Sequence, residues 1–161
     1  MKKVLCLLLM MLFCGVYAQD VLLDLEFDQK KIDALDAWKR KPFKVVDVDG
    51  KKCIYMKGKG GIAIPVNLEK YVGKQFVIFA NVKFKDVPQT KKNVNGFKLA
   101  LFGKAGDGSY TGGQQLFFGS SDWREIKRIL PPIKPGTKKG HIFIETTGGE
   151  IWISELAIET E

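Results

Sequence analysis

Histidine is almost missing from this 161-residue chain, which has only His141. Cysteine is nearly as scarce: Cys6 and Cys14 lie in the first residues, leaving Cys53 alone beyond them. A zinc site, which draws on several cysteine and histidine ligands, therefore lacks the residues to build it. A Ser-His-Asp triad would have to use His141, and no nucleophile-elbow motif is present. Cys53 cannot form an intramolecular disulfide once the first residues are gone. As a nucleophile it would want a basic partner, and His141 is far away in sequence. In the alternating run Lys52-Cys53-Ile54-Tyr55-Met56 it reads as a small buried apolar residue. There is also no internal repeat, no linker and no convincing amphipathic helix. No block of five like charges exists, and the lysines are scattered in ones and twos. Dispersed charge, with the export signal described next, argues against nucleic-acid binding.

The longest apolar run lies at the N-terminus. Lys2 and Lys3 precede the apolar stretch Val4–Cys14, and Val16-Tyr17-Ala18 is a small-residue cleavage site. This order is that of a secretory signal peptide over residues 1–18. The stretch is shorter than the ~20 residues a membrane span needs. A lipoprotein signal would place a small residue before Cys14, where Phe13 stands. Removing 18 of 161 residues leaves 143, enough for one domain with one core. Losing Lys2 and Lys3 takes the formal charge from +8 to +6, which reads first as a solvated surface. The sharper alternative is attraction to acidic glycans or an anionic cell surface. The expected location is outside the cytoplasm: periplasm, cell surface or extracellular space.

The remaining chain reads as strands. Val21–Phe27 is rich in strand formers, and Trp38 introduces Phe43–Val48. Asp49-Gly50 is a hairpin signal into Lys51–Lys57. Ile62–Val66 follows, then Asn67–Gly73 as a turn into Lys74–Lys85. That long strand has the clearest period of two, with Phe76, Ile78, Ala80, Val82 and Phe84 on the core face. Gly96–Gly103 repeats it with Phe97, Leu99 and Leu101 inward. Lys104–Gly113 reads as a Gly-rich loop carrying Tyr110, and Gln114–Phe118 as a further strand. Residues 120–159 close the chain with Trp123–Leu130, His141–Thr146 and Glu150–Glu159, joined by Pro-rich and glycine turns. About nine or ten strands at short spacing predict an all-β sandwich in one domain, residues 19–161. Trp123 and Trp152 are expected to be largely enclosed.

The pieces Asn67-Leu68-Glu69-Lys70-Tyr71-Val72-Gly73-Lys74-Gln75-Phe76, Asp122-Trp123, Pro135-Gly136-Thr137 and Ile151-Trp152-Ile153 resemble signatures of the galactose-binding-domain-like carbohydrate-binding modules. The resemblance covers residues 62–159 best. It implies a jelly roll and a sugar ligand, although a fold does not fix a function. Many members hold a structural calcium between an acidic pair near the start and an aspartate in the last strand. Here Glu26 and Asp28 supply the pair, Ser154 stands where the aspartate would be, and Glu155 is beside it. Glu26, Asp28 and Glu155 are the candidate ligands. No other cofactor is called for.

Glu26-Phe27-Asp28 also spaces two carboxylates on one strand face, as a retaining glycosidase pair would be. Gln29 and Lys30 follow where a third acid is expected, and the pair lies at the first strand instead of mid-chain. A strand-edge or calcium-holding pair is the preferred reading. The leading expectation is a secreted, non-catalytic carbohydrate-binding protein. The alternative is a structural or adhesion jelly roll that binds a protein partner at the cell surface, with a small hydrolase or lyase ranked below both. The expected ligand face is the one opposite the core on the two central strands, carrying Phe79, Asn81, Lys83, Lys98 and Phe102. Gln114, Gln115 and Arg124 flank it, Tyr110 closes over it from the Gly-rich loop, and Trp38 is a further candidate. The leader reading is checked by intact mass. Exported protein should start at Gln19, and retention of Met1 would refute the signal peptide.

Overall fold

Period-two alternation of apolar and polar side chains lets a chain bury one face of each strand and wet the other, and this chain uses it nearly throughout. In the computed structural model the residues described are 20–24, 30, 33, 38–39, 43–89 and 96–161, with the backbone alone for Asp24, Trp38 and Lys39. In chain order the strands are β1 (Val21–Asp24), β2 (Trp38–Lys39), β3 (Lys44–Val48), β4 (Lys51–Lys57), β5 (Gly60–Asn67) and β6 (Phe76–Val87). They continue with β7 (Phe97–Lys104), β8 (Tyr110–Phe117), β9 (Gly119–Ile129), β10 (Lys139–Thr146) and β11 (Glu150–Thr160). One 3-10 turn, Glu69–Tyr71, sits between β5 and β6.

Two antiparallel sheets face each other. The first runs β3-β4-β11-β6-β9, with β1 pairing β11 beyond the end of β4; the second runs β2-β5-β10-β7-β8. β11 changes partner along its length. It pairs β4 over Glu150–Ile153 and β1 over Ala157–Glu159, and its register against β6 shifts between Ile153 and Glu155. The bulge absorbs the handover.

The core lies between the sheets. Ile54, Phe76, Ile78, Val82, Ile151, Ile153 and Ile158 from the first sheet meet Ile62, Phe97, Leu99, Leu101, Phe117, Ile142 and Ile144 from the second. Each such burial contributes about 1.5–3 kcal/mol from water exclusion. The rings of Phe97 and Phe117 stack at 4.8 Å, and Phe84 lies 5.5 Å from Phe117. At the open side between edge strands β8 and β9, the Arg124 guanidinium lies 5.2 Å from the Phe84 ring and 5.1 Å from that of Phe117. A cation over two rings closes the edge where, among the described residues, neither sheet has another strand.

At the opposite border of the core, Leu68 is fully buried because two strands leave room for it. Gly140 and Gly103 are register partners on β10 and β7. A Cβ on Gly140 would meet Leu68 Cδ1 at 2.5 Å, and one on Gly103 would meet it at 3.0 Å. The two missing side chains are the seat of Leu68.

Several expectations need correction. Tyr110 is not on a loop but opens β8, and the glycines after it belong to that strand. The strand expected to start at Trp123 begins earlier, so residues 120–122 lie within β9. β2 is an additional short strand, and the first strand beyond Asp24 lies outside the described residues. Trp123 and Trp152 are half-buried instead of enclosed, since the register pairs Trp152 with Lys83 and Tyr55, on outward positions. The hairpin at Asp49-Gly50 is as expected, with φ of 53° and 75° as a type I′ turn requires.

Val82 is fully buried in the middle of β6. Val82→Asp should abolish the cooperative melt, because an unpaired carboxylate there costs several kcal/mol. A variant melting like the parent would show the assignment of inward faces to be wrong.

Candidate functional site

β6 and β7 belong to different sheets, so the expected ligand face is split between opposite sides of the sandwich. Phe79 and Asn81 point outward from the first sheet, while Lys98 and Phe102 point outward from the second. Tyr110 pairs with Lys104 and Gln114 with Ala100, which puts both on the second sheet's outer face with Phe102. Trp38 pairs with Ala63 on β5 of that same sheet. Gln115 pairs with Leu99 and Arg124 with Val82, so both occupy inward positions at sheet edges and flank neither outer face.

The outer face of the second sheet is built by β10. Its inward residues Ile142 and Ile144 fix the strand, which leaves His141, Phe143 and Glu145 outward. Phe143 is half-buried. Its ring centre lies 6.4 Å from that of Phe102 and 5.8 Å from that of His141. The Lys98 ammonium sits 5.1 Å over the Phe143 ring and 2.6 Å from the Glu145 carboxylate. Gly61, across from Glu145, makes this possible, since a Cβ there would stand 2.7 Å from Glu145 Cγ. At the end of the strand a shallow depression of about 270 Å³ is lined by Pro65, Val66, Asn67, Lys139, Gly140 and His141. Tyr110, 76% exposed, stands at the edge of the same face. Aromatic faces, an adjoining hollow and a few polar groups form a surface suited to stacking a sugar ring and fixing its hydroxyls. The sequence reading missed Phe143, His141 and the hollow. The signal was the alternation His141-x-Phe143-x-Glu145, with both isoleucines between.

The first sheet's outer face is more occupied. Tyr55 and Trp152 pack at 5.2 Å, and Tyr55 donates a hydrogen bond to Glu150 at 2.8 Å. That bond, reinforced by Lys57, holds the Glu150 carboxyl below its ordinary range. Lys127 lies 5.4 Å over Phe79, and Lys83 pairs with Asp122 at 3.1 Å. The Trp123 indole N–H donates to Asp49 at 3.4 Å, tying the β3–β4 hairpin to β9. Asn81 is buried and its Oδ1 has no hydrogen-bond partner. Cys53 is fully buried, its thiol donates to the Lys51 carbonyl at 3.3 Å, and burial raises its pKa.

No protein-family model and no curated protein matches the chain. Solved structures do. A family 16 carbohydrate-binding module aligns with TM-score 0.56 and 12% identity over 74% of this chain and 86% of that one. The fold is that of the jelly-roll carbohydrate-binding modules. A xylan-binding domain of family 22 gives 0.55 and 12% identity over 89% and 96% of the two chains. The CBM22-1 xylan-binding domain from Paenibacillus barcinonensis Xyn10C gives 0.52 and 16% over the same shares. At these identities the likeness is one of architecture.

For the calcium implied by the resemblance, Glu26 and Asp28 lie outside the described residues, and Glu155 is exposed. Among the described residues no three histidine, cysteine, aspartate or glutamate side chains converge. Two neutral oxygens near Glu155 are nevertheless unfilled. Asn81 pairs with Glu155 across the strands, Ser154 is the bulged residue beside it, and neither Asn81 Oδ1 nor Ser154 Oγ has a partner despite burial. Oxygen donors of this kind fit a hard cation.

Proposed function

We propose that this protein is exported and binds carbohydrate without cleaving it, on the outer face of the second sheet. The observation that carries the reading is the row Phe102, Phe143 and His141 on paired strands, with the hollow at Asn67 and Lys139 beside it. Structural neighbours named as carbohydrate-binding modules support it. Non-catalytic binding agrees with the chemistry of the face, where Glu145 is already committed to Lys98 and His141 packs against a phenylalanine. Stacking on one or two rings in an open groove gives a dissociation constant on the order of micromolar to millimolar.

Titration of the purified protein against a panel of soluble polysaccharides tests this. Phe102→Ala and Phe143→Ala should each weaken binding about tenfold, a loss of one ring's stacking. Phe79→Ala, on the opposite sheet, should leave it unchanged. Binding that ignores both second-sheet changes would move the site elsewhere. No binding to any glycan would transfer the case to a protein partner at the cell surface.

We also propose that Glu155, Asn81 and Ser154, with Glu26 and Asp28, hold a structural calcium. The two unpartnered buried oxygens support it. Calcium added after chelation should raise the melting temperature by a few degrees, as ligand linkage requires, and Asn81→Ala should abolish that rise. An unchanged melt at saturating calcium would end the idea.

A further inference from the structure

We infer that the glycan bound at the second sheet is anionic, its charged group seated in the hollow at Lys139 and His141. This rests on the carbohydrate-binding reading above and narrows it to a ligand class. The two outer faces differ in charge. The first sheet turns Glu125, Glu150, Glu155 and Glu159 outward among its lysines. On the second, the outward positions of β5, β7, β8 and β10 hold Lys98, Lys104, Lys139 and His141, with Glu145 as their one carboxylate among the described residues. Lys98 neutralises Glu145 at 2.6 Å, so neither contributes net charge to the face.

What remains is cationic and localised. Lys139 and His141 line the hollow with Asn67 and Pro65, and among the described residues no carboxylate lines it. Lys104 stands on the neighbouring strand beside exposed Tyr110. A sugar ring stacked on Phe102 and Phe143 lies next to this hollow, because Phe102 is the register partner of His141. A substituent projecting from that ring toward β5 enters a pocket with an ammonium, an imidazole and an amide. Lysine is a point charge without a fixed fork, so it accepts a uronate carboxylate and a sulfate ester equally well. The surrounding water keeps each ion pair modest, which makes the charge a selector added to stacking instead of the main source of affinity.

The experiment compares matched glycans that differ in charge. Polygalacturonate is set against its methyl ester, and dextran sulfate against dextran, at low and high salt. The protein should bind at least one charged form about three- to tenfold more tightly than its neutral partner, as one or two partly screened ion pairs allow, and salt should erase the difference. The pair that shows the preference identifies carboxylate or sulfate as the group. Lys139→Gln should remove the preference, bringing the affinity for the charged form down to that of its neutral partner. Lys51→Gln, on the other sheet, should leave the preference intact. Equal affinity for charged and neutral forms in both pairs would overturn the anionic class while the carbohydrate reading stands. A preference that survives Lys139→Gln, or that Lys51→Gln reduces as much, would overturn the pocket. Failure to bind any glycan, charged or neutral, would overturn both readings.

Discussion

The register of β10 is the constraint on which the second sheet and its surface depend. β10 is bonded on both sides, to β5 over its full length and to β7 from Gly140 to Thr146. Ile142 and Ile144 point into the core and are essentially inaccessible, so no slip is affordable. A shift of one residue would put His141, Phe143 and Glu145 into the hydrocarbon interior and two isoleucines into water. The forces that hold the fold together therefore also dictate which side chains face the solvent. The ring row on the outer face follows from the packing on the inner one.

The two sides of the sandwich have been put to different uses. On the first sheet the aromatic side chains are engaged: Trp152 with Tyr55, Phe79 beneath Lys127, and Trp123 to the hairpin through Asp49. These contacts tie neighbouring strands to one another. On the second sheet Tyr110 is exposed and Phe102 and Phe143 are half-buried, with the Lys98–Glu145 pair against Phe143. Calcium chemistry and glycan chemistry would then be separated by the thickness of the core. Neither would need to disturb the other.

Much of the architecture was legible in the sequence because alternation is a local property. The inward residues of β6 and β7 can be read directly from Lys74–Lys85 and Gly96–Gly103, and the Asp49-Gly50 hairpin from its dipeptide. Which strands are neighbours is not local. β6 and β7 follow one another in the chain and fall in opposite sheets, so residues that share a sequence pattern, such as Phe79 and Phe102, do not share a surface. Trp152 illustrates the same limit: a tryptophan between two isoleucines looks like core, but period two turns it outward. Arg124 goes the other way, a charged residue on the inward parity whose guanidinium caps two rings at the sheet edge.

The glycine pair beneath Leu68 bears on how readily this surface can receive a guest. Leu68 follows directly on Asn67, a wall of the hollow, and its backbone N–H donates to the Lys138 carbonyl at 2.9 Å, one residue before Lys139. The plug thus fixes the two chain segments from which the hollow is made before any ligand arrives. A guest meets walls already in place, and little ordering entropy is charged against its arrival. On the carbohydrate-binding reading proposed above, that favours the bound state by sparing the site an ordering cost. Enlarging either glycine would loosen that setting at a distance, by lifting Leu68 and letting Asn67 drift from Lys139, without altering a single residue that lines the hollow's mouth.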